Sequence, residues 1–492
     1  MRTFENPSID WAALSPELAL LAGSAVVVLG ALLIPKAHRN RFAIGVSVLS
    51  LLGGLAAALT MLTVDNTGFG VLGDAIRRDH LAELAQVILI GTGLLAVLIS
   101  SGEDSARRQP GEFYGLLLAA VAGMAFFVAA NNLLTLFLGL EWFSICLYIL
   151  SAIATKRERS LEAGLKYLIV GSFGSAILLF GGALVFGATG ALGFEAIAAA
   201  ADSERVFLVA GLAMLIVGLG FKVSAAPFHQ WTPDVYEGAP TAVTGFMAAA
   251  TKVAAMVVTL RVMTTAFDEE AELWTITLAV LATASLAWGN IAALVQRDLK
   301  RLLAYSSVSH AGFLLMPIAA GNALGGRALL FYLIPYSAMT LGSFAIVAAR
   351  ERELGQAVTL DNVSGLGWEK PLHGAALATF MLGFIGLPPT GLFLGKFYAF
   401  SALFDRGWIW LMVIGAIFTA VSVYYYLGVV RSVYLRREAR AALAPASGAS
   451  PRDVALTAAV VVSLVVAVGS FFGVDPLIDQ IRDVVAFLPI PS

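Results

Sequence analysis

The 492-residue chain is 59% hydrophobic and 13% charged, with a formal net charge of −2 and a mean hydropathy of +0.86. That much apolar side chain cannot be enclosed in one water-soluble core, so composition points to a polytopic membrane protein. No basic stripe exists to neutralise phosphates, which argues against nucleic acid as a partner. One cysteine, Cys146, cannot build a disulfide, zinc or iron–sulfur site and reads as a small core hydrophobe.

Apolar runs of about 20 residues, the length of a helix that crosses the hydrocarbon core, lie near 14–34, 42–63, 81–101, 113–129, 132–152, 162–187, 206–226, 240–264, 273–295, 303–320, 326–349, 372–394, 408–431 and 454–473. The fold class is therefore all-α, with about fourteen transmembrane helices. The first run follows polar and acidic residues rather than a basic stretch, and reads as a retained span, not a cleaved leader. Lys36, Arg39 and Arg41, then Lys156, Arg157 and Arg159, then Arg297, Lys300 and Arg301, then Arg431, Arg436, Arg437 and Arg440 follow the first, fifth, ninth and thirteenth spans. Even connections carry Asp202, Glu204, Asp268, Glu269, Glu270 and Glu272 instead, with Arg77 and Arg78 as a local exception. Basic loops stay cytoplasmic, so both termini are expected on the non-cytoplasmic side. Of the longer polar stretches, Arg350 to Lys370 should hold a surface-lying segment, and Arg436 to Asp453, with AALAPASGAS, a flexible loop.

Lys166, Lys222, Lys252, Lys396 and Glu141 lie inside or at the edge of these apolar runs. Insertion scales put such a charge at a bilayer centre at roughly 2.5 to 3.5 kcal/mol, so each is a candidate functional residue. Two of the lysines accompany helix breakers: Lys222 precedes Pro227 and Pro233, and Lys396 follows Gly386, Pro388, Pro389 and Gly391. A broken helix at membrane depth must be buried in protein or line a hydrated cavity, and paired breaks in two halves of a chain point to a transporter built from repeats. The breaks fall five spans apart, in the seventh and twelfth. An odd number of helices turns the second copy upside down, so spans four to eight and nine to thirteen read as two inverted five-helix repeats. The corresponding organisation is a three-helix segment over 1–111, a first repeat over 112–264, a second over 272–431, and a loop with a last helix over 432–492.

The chemistry available to these groups is proton transfer. Burial lowers a lysine's pKa by penalising the charged form, and a nearby carboxylate raises it again. Glu141 is the natural partner of Lys166 or Lys222; a pair at ~4 Å in an effective dielectric of about 20 is worth about 4 kcal/mol, or about three pK units. His229, after Pro227, and His310, in YSSVSHAGF, can relay protons through either ring nitrogen, and Lys252 could bridge the two units. Competing structural readings exist. Lys166 lies near enough to its span's end to snorkel, with Glu162 as an i, i+4 partner. His310 could be a hydrogen-bonded core histidine, Arg261 an interface anchor facing Asp268, and Tyr424, Tyr425 and Tyr426 packing or interface aromatics. Nothing is assigned to His38, His80 or His373.

The segments GLEWFSICLYIL, EAGLKYLIVGSFGSAILLFG, FKVSAAPFHQWTPDVYEGAPTAVTGFMAAATKVAA, QRDLKRLLAYSSVSHAGF and GLPPTGLFLGKFYAF resemble the antiporter-like proton-pumping membrane subunits of respiratory complex I, the bacterial NADH-quinone oxidoreductase, over nearly the whole chain. WTPDVYEGAPT is most similar to the N type. The M type carries glutamate where Lys396 stands, and the L type has a long C-terminal lateral helix that this chain lacks. The resemblance implies a proton path formed by Glu141, Lys166, Lys222, Lys252 and Lys396 with His229 and His310 in support, Glu141 pairing with Lys222, Lys252 midway and Lys396 in the far half-channel. It implies a subunit of a proton-translocating enzyme that itself holds no redox centre or cofactor, in line with the absence of a nucleotide fingerprint. NADH, FMN, iron–sulfur clusters and quinone would belong to partner subunits, among them neighbouring antiporter-like and small membrane subunits in the bacterial inner membrane. The alternatives are an Mrp-type or stand-alone cation/proton antiporter subunit, and a scaffold whose charges only pin helices together.

Overall fold

Helices in hydrocarbon need a partner for every backbone group, and the termini are where sequence must supply it. In the computed structural model, which describes residues 9–63, 68–200, 204–435 and 453–486, the side chains of Asp79, Asn132, Asp298, Asn322 and Asp453 each accept a backbone N–H in the first turn of the helix they precede. Arg436, Arg437, Arg440 and the AALAPASGAS loop, together with Asp202, lie outside the described residues.

The chain begins with α1 (Ser15–Leu33) and α2 (Lys36–Thr63), a small antiparallel hairpin of β1 (Phe69–Val71) and β2 (Ile76–Arg78), α3 (His80–Ser100) and the short α4 (Asp104–Arg108). The first unit follows as α5 (Pro110–Val128), α6 (Leu133–Ala152), α7 (Glu158–Thr189), the short α8 (Phe194–Ala198), the broken pair α9 (Arg205–Lys222) and α10 (Trp231–Gly238), and α11 (Thr241–Ala266). The second comprises α12 (Ala271–Ala293), α13 (Leu299–Ala320), α14 (Ala323–Leu354), the single-turn α15 (Leu366–Glu369), the broken pair α16 (Pro371–Ile385) and α17 (Gly391–Asp405), and α18 (Ile409–Tyr434); α19 (Val454–Phe472) and the amphipathic α20 (Val474–Ala486) complete the described chain. Among the described residues thirteen helices are long and apolar enough to cross a membrane. The twelfth crossing predicted from hydropathy is made by α16 and α17 in tandem. The polar stretch after Arg350 is partly helical, since α14 runs on to Leu354, and α15 is its surface-lying turn.

Connections alternate between two faces. On one, Arg352 donates to Ile99 O at 2.6 Å and pairs with Asp453, Lys300 donates to Ala239 O at 2.7 Å, and Asp298 bridges to Thr359. On the other, Arg77 pairs with Glu195, Asn132 bridges to Gly193, and Arg205 lies 3.5 Å from Glu270. We refer to these as the basic and acidic faces. The second helix of the first unit, α6, starts on the acidic face at Asn132, and the second helix of the second unit, α13, starts on the basic face at Asp298. The units are therefore inverted. Packing repeats with them: α6 contacts α5 and α7 while α7 contacts α9 and α10, and α13 contacts α12 and α14 while α14 contacts α16 and α17.

Close approach within the first unit depends on glycine. A Cβ at Gly181 of α7 would meet Gly211 O at 2.8 Å, and one at Gly211 of α9 would meet Gly181 O at 2.7 Å, so both helices come together backbone to backbone. The innermost helix is α11, buried along its whole spanning window and packed by α3, α5, α13 and α14.

Arg261, read from sequence as an interface anchor, is buried instead. It forms a fork with Asp79, Nη1 to Oδ2 at 2.6 Å and Nη2 to Oδ1 at 2.6 Å, and so ties α11 to the start of α3. The exceptional arginines are answered locally: Arg77 by the carboxylates of Glu195 and Asp79, Arg78 by Glu17 at 3.9 Å together with a hydrogen bond to Gln86 Oε1 at 2.9 Å. Burial pushes the Asp79 carboxyl up, but the Arg261 charge and hydrogen bonds outweigh it and hold Asp79 below its ordinary 3.8. Its stabilisation is thus complete above that ordinary value and is lost as pH falls through the lower folded value. Arg261→Leu, which leaves the buried Asp79 carboxylate with only Arg77 at 3.7 Å and the Ala82 N–H, should cost about 3 to 5 kcal/mol of stability at neutral pH, and Asp79→Leu/Arg261→Leu, though it also gives up the α3 cap, less; thermal denaturation of the purified protein in lipid would measure both, and equal losses would refute this account.

Candidate functional site

The first unit's helix break is built to leave an ammonium at its edge. α9 closes with a six-residue bond from Ala225 N to Gly220 O at 2.9 Å and an inner bond from Ser224 N to Phe221 O at 3.1 Å, the Schellman pattern, with Ser224 in the left-handed region at φ +62°. Two residues before Ser224 stands Lys222, 2% exposed. Its Nζ donates to Ser144 Oγ at 2.8 Å and to Tyr167 OH at 3.3 Å, and lies over the Phe143 ring at 4.5 Å and the Tyr167 ring at 5.3 Å. Tyr167 stacks on Trp231 at 4.4 Å and 8°, while Trp231 Nε1 donates to Phe221 O at 3.2 Å. Ammonium, phenol, indole and the end of α9 thus form a closed circuit.

The second unit repeats the closure: Leu387 N to Leu382 O at 3.1 Å and Gly386 N to Gly383 O at 2.8 Å, with Gly386 at φ +93°. Aligning Ser224 with Gly386 sets Pro227 against Pro389 and Lys222 against Phe384. Lys396 comes from beyond the break, on α17, and its Nζ reaches back to Phe384 O at 3.0 Å and Ile385 O at 2.9 Å, where the carbonyl end of a helix favours a cation. Each unit thus brings an ammonium beside its helix break, by a different stretch of chain and with different partners, hydroxyls for Lys222 and carbonyls for Lys396.

Counting from the caps extends the match. Ser144 lies twelve residues after the cap Asn132 and His310 twelve after the cap Asp298; Tyr167 lies ten after Arg157 and Tyr332 ten after Asn322. His310 Nδ1 bonds Tyr332 OH at 2.8 Å and its Nε2 bonds Tyr426 OH at 3.1 Å. Tyr336 OH contacts Ser307 Oγ at 3.1 Å and Ala248 O at 3.4 Å, and Ala248 is one turn from Lys252. Asn290 joins Ser309 at 2.8 Å and Tyr425 at 3.0 Å.

The remaining candidates separate. Lys252, 0% exposed and midway along α11, has no hydrogen-bond acceptor for Nζ among the described residues. His229, buried just after Pro227, has Nδ1 without a partner and its ring 5.5 Å from Trp288. Glu141 is half-buried on α6, one turn before Ser144, with Oε1 unbonded; its expected ion pair with Lys222 or Lys166 does not form within 4.0 Å. Lys166 points the other way, toward the basic face, bonding Glu162 at 2.7 Å and Asp234 at 2.8 Å with 43% of its side chain exposed. The i, i+4 pairing with Glu162 is the one expected. Asp234 also bonds Arg301 at 2.8 Å, and Arg301 reaches Glu237 at 3.0 Å.

Sequence reasoning used Lys300 and Arg301 only for orientation, yet with Ser285, which accepts from Ala226 N at 2.8 Å, they hold the first unit's break from the second unit. It also passed over Ser144, Tyr167, Tyr332 and Tyr336, and set Tyr425 and Tyr426 down as packing or interface aromatics. Tyr424 is exposed, whereas Tyr426 belongs to the His310 cluster. The signal for Ser144, Tyr167 and Tyr332 was a fixed distance from a cap, visible only once the caps are known.

Residues 130–422 match the model of the NADH:quinone oxidoreductase/Mrp antiporter transmembrane family. The chain is 38% identical over 450 residues to NADH-quinone oxidoreductase subunit N 2 of Roseiflexus castenholzii, covering 88% of this chain and 89% of that protein. It is 34% identical to a chain of respiratory complex I from Thermus thermophilus, with a TM-score of 0.79 over 94% of this chain and 98% of the other. A chain of the Mrp complex from Dietzia sp. DQ12-45-1b shares the fold, with a TM-score of 0.81, 22% identity and coverage of 96% and 97%.

Lys252 allows a test that needs no assay of function. An ammonium without an acceptor in the interior is destabilising, and methionine has nearly its shape. Lys252→Met should raise the thermal midpoint of the purified protein, whereas Lys166→Ala, at an exposed ion pair, should change stability by less than about 1 kcal/mol. A lower midpoint for Lys252→Met would show that Nζ is well solvated where it lies.

Proposed function

Because this chain belongs to the NADH:quinone oxidoreductase/Mrp antiporter transmembrane family, we propose that it acts as the N-type proton-translocating membrane subunit of a bacterial NADH-quinone oxidoreductase, moving protons along Glu141, Lys222, Lys252, His310 and Lys396. One observation carries this reading. Lys222, Lys252 and Lys396 are 2%, 0% and 4% exposed, and among the described residues none has a carboxylate within 4.0 Å. A scaffold would neutralise its buried charges, as Asp79 and Arg261 do here. Ammoniums left unpaired at membrane depth are suited to losing and regaining a proton.

Each group has a role its surroundings support. Glu141, a turn from the Ser144 that holds Lys222, adjusts that ammonium by approach and withdrawal. A Glu–Lys pair worth about 4 kcal/mol at ~4 Å falls to roughly half at ~8 Å in an effective dielectric of about 20. Opening the pair is therefore comparable with the about 2.3 kcal/mol needed to move one charge against 100 mV. Lys252 lies between the units. His310, neutral, has one donor and one acceptor nitrogen, so its bonds to Tyr332 and Tyr426 let a proton enter at one nitrogen while another leaves from the other. His229 stands in the break as a supporting group, and Lys166 in the charge cluster of the basic face.

The positive-inside rule makes the basic face cytoplasmic and leaves both termini on the other side of the inner membrane. Electrons, NADH, FMN, iron–sulfur clusters and quinone belong to partner subunits, with neighbouring antiporter-like and small membrane subunits against the lipid-sized apolar surfaces of this one. The similarity to the Mrp chain is of fold alone, whereas the complex I chain shares a third of its residues.

Lys222→Met in the assembled complex decides the matter. Reconstituted in liposomes, it should lower both NADH oxidation and the protons taken up per NADH, with subunit composition unchanged. Intact turnover and an intact proton ratio would defeat the assignment, and sodium-dependent proton exchange by the isolated chain would favour the Mrp-like alternative.

A further inference from the structure

Two tyrosines occupy the same station in the inverted units. Tyr167 and Tyr332 each stand ten residues after the cap of the third helix, both are 0% exposed, and each gives its hydroxyl to the group beside the break. Tyr167 OH accepts from Lys222 Nζ at 3.3 Å; Tyr332 OH bonds His310 Nδ1 at 2.8 Å. The second helices match as well, since Ser144, which bonds the same Lys222 ammonium, and His310 share a position counted from the cap. Chance packing does not preserve a buried hydroxyl at one station, bonded to a proton-bearing group, in two segments with little residue identity.

We propose that Tyr167 and Tyr332 are a matched pair of positioning residues, one per unit, that fix the Lys222 ammonium and the His310 imidazole against the helix breaks. The proposal rests on the proton-translocating reading above and goes beyond it by giving the phenols a task. In the first unit, an unbranched four-carbon stem leaves Nζ free to swing, and Ser144 alone supplies one acceptor direction. The Tyr167 oxygen supplies a second, and the ring cannot turn away because Trp231 covers its face at 4.4 Å, and Tyr148 meets it edge-on at 4.8 Å. Trp231 is anchored in turn to Phe221 O, the carbonyl just before Lys222. The ammonium is thereby held on the α6 side, where Glu141 can reach it, rather than toward the lipid. In the second unit Tyr332 determines which imidazole nitrogen carries the proton: a phenol that donates to Nδ1 leaves N–H on Nε2, facing Tyr426, and a phenol that accepts reverses both.

The test uses the assembled complex in liposomes. Tyr167→Phe and Tyr332→Phe each keep the ring and its packing and remove one hydrogen bond to a proton-bearing group. Each is expected to slow proton uptake coupled to NADH oxidation about tenfold, within the reach of one buried hydrogen bond, with assembly unchanged. 3,5-Difluorotyrosine at 167, nearly the same in shape but a weaker oxygen acceptor, should give an intermediate rate, a response that a purely structural ring would not show. Wild-type rates in both phenylalanine variants, or in the fluorinated protein should the phenylalanine variants fail to assemble, overturn the proposal. Lys222→Met measured alongside separates the two failures: if it too pumps normally, the proton path is wrong, and if it alone fails to pump, only the tyrosines were misassigned.

Discussion

Everything near the site depends on how two helices are stopped in the middle of a hydrocarbon layer. A helix end there exposes carbonyls that nothing in lipid can satisfy. Both α9 and α16 answer with the same two backbone bonds, turning at Ser224 in one case and Gly386 in the other. The closure leaves residual negative potential at the helix end, and a lysine stands beside it in each unit: Lys396, from ten residues after the turn, bonds the end carbonyls, whereas Lys222, from just before it, turns to the hydroxyls of Ser144 and Tyr167. The closure is common to both units while the origin and the partners of the ammonium are not. That explains why the two breaks resemble one another so weakly as sequence and so closely as structure.

Around this constraint the molecule sorts its charges into two kinds. Those with structural tasks are paired: Asp79 with Arg261, Arg352 with Asp453, Lys166 with Glu162 and Asp234. Lys222 and Lys396, at membrane depth, are held by hydroxyls, carbonyls and aromatic faces, which support an ammonium without cancelling its charge. A hydroxyl also accepts and donates with equal ease, so the serines and tyrosines around Lys222 and His310 leave both protonation states bonded. The first unit's break is braced by Ser285, Lys300 and Arg301 of the second, so a change at either break is felt through direct contacts rather than through the lipid-facing helices.

Much of this was legible in one dimension. Hydropathy alone places the spans, because a crossing helix must be apolar for about 20 residues whatever it packs against. Proline and glycine mark the breaks, since neither is compatible with an uninterrupted ladder, and the odd spacing of the breaks dictates inversion. Buried lysines stand out for the cost they carry. The alternation of basic and acidic connections, too, is a property of loops and needs no packing to be read.

Partner choice was the part that only folding decided. Lys166 and Lys222 looked interchangeable as partners of Glu141, yet a helix turn places one on the basic face among Glu162, Asp234 and Arg301 and the other in an aromatic enclosure. Arg261 pairs with Asp79 across 182 positions of chain, and the tyrosines of the His310 cluster come from two other helices, α14 and α18. Spacing within a helix is a local quantity that a reader can count, but which faces meet depends on backbone approach distances such as that between Gly181 and Gly211. Sequence by itself determined where charges are forced into the membrane and where the chain must bend; tertiary structure decided which groups answer those charges, because a hydrogen bond is settled within an ångström and residue order carries no such resolution.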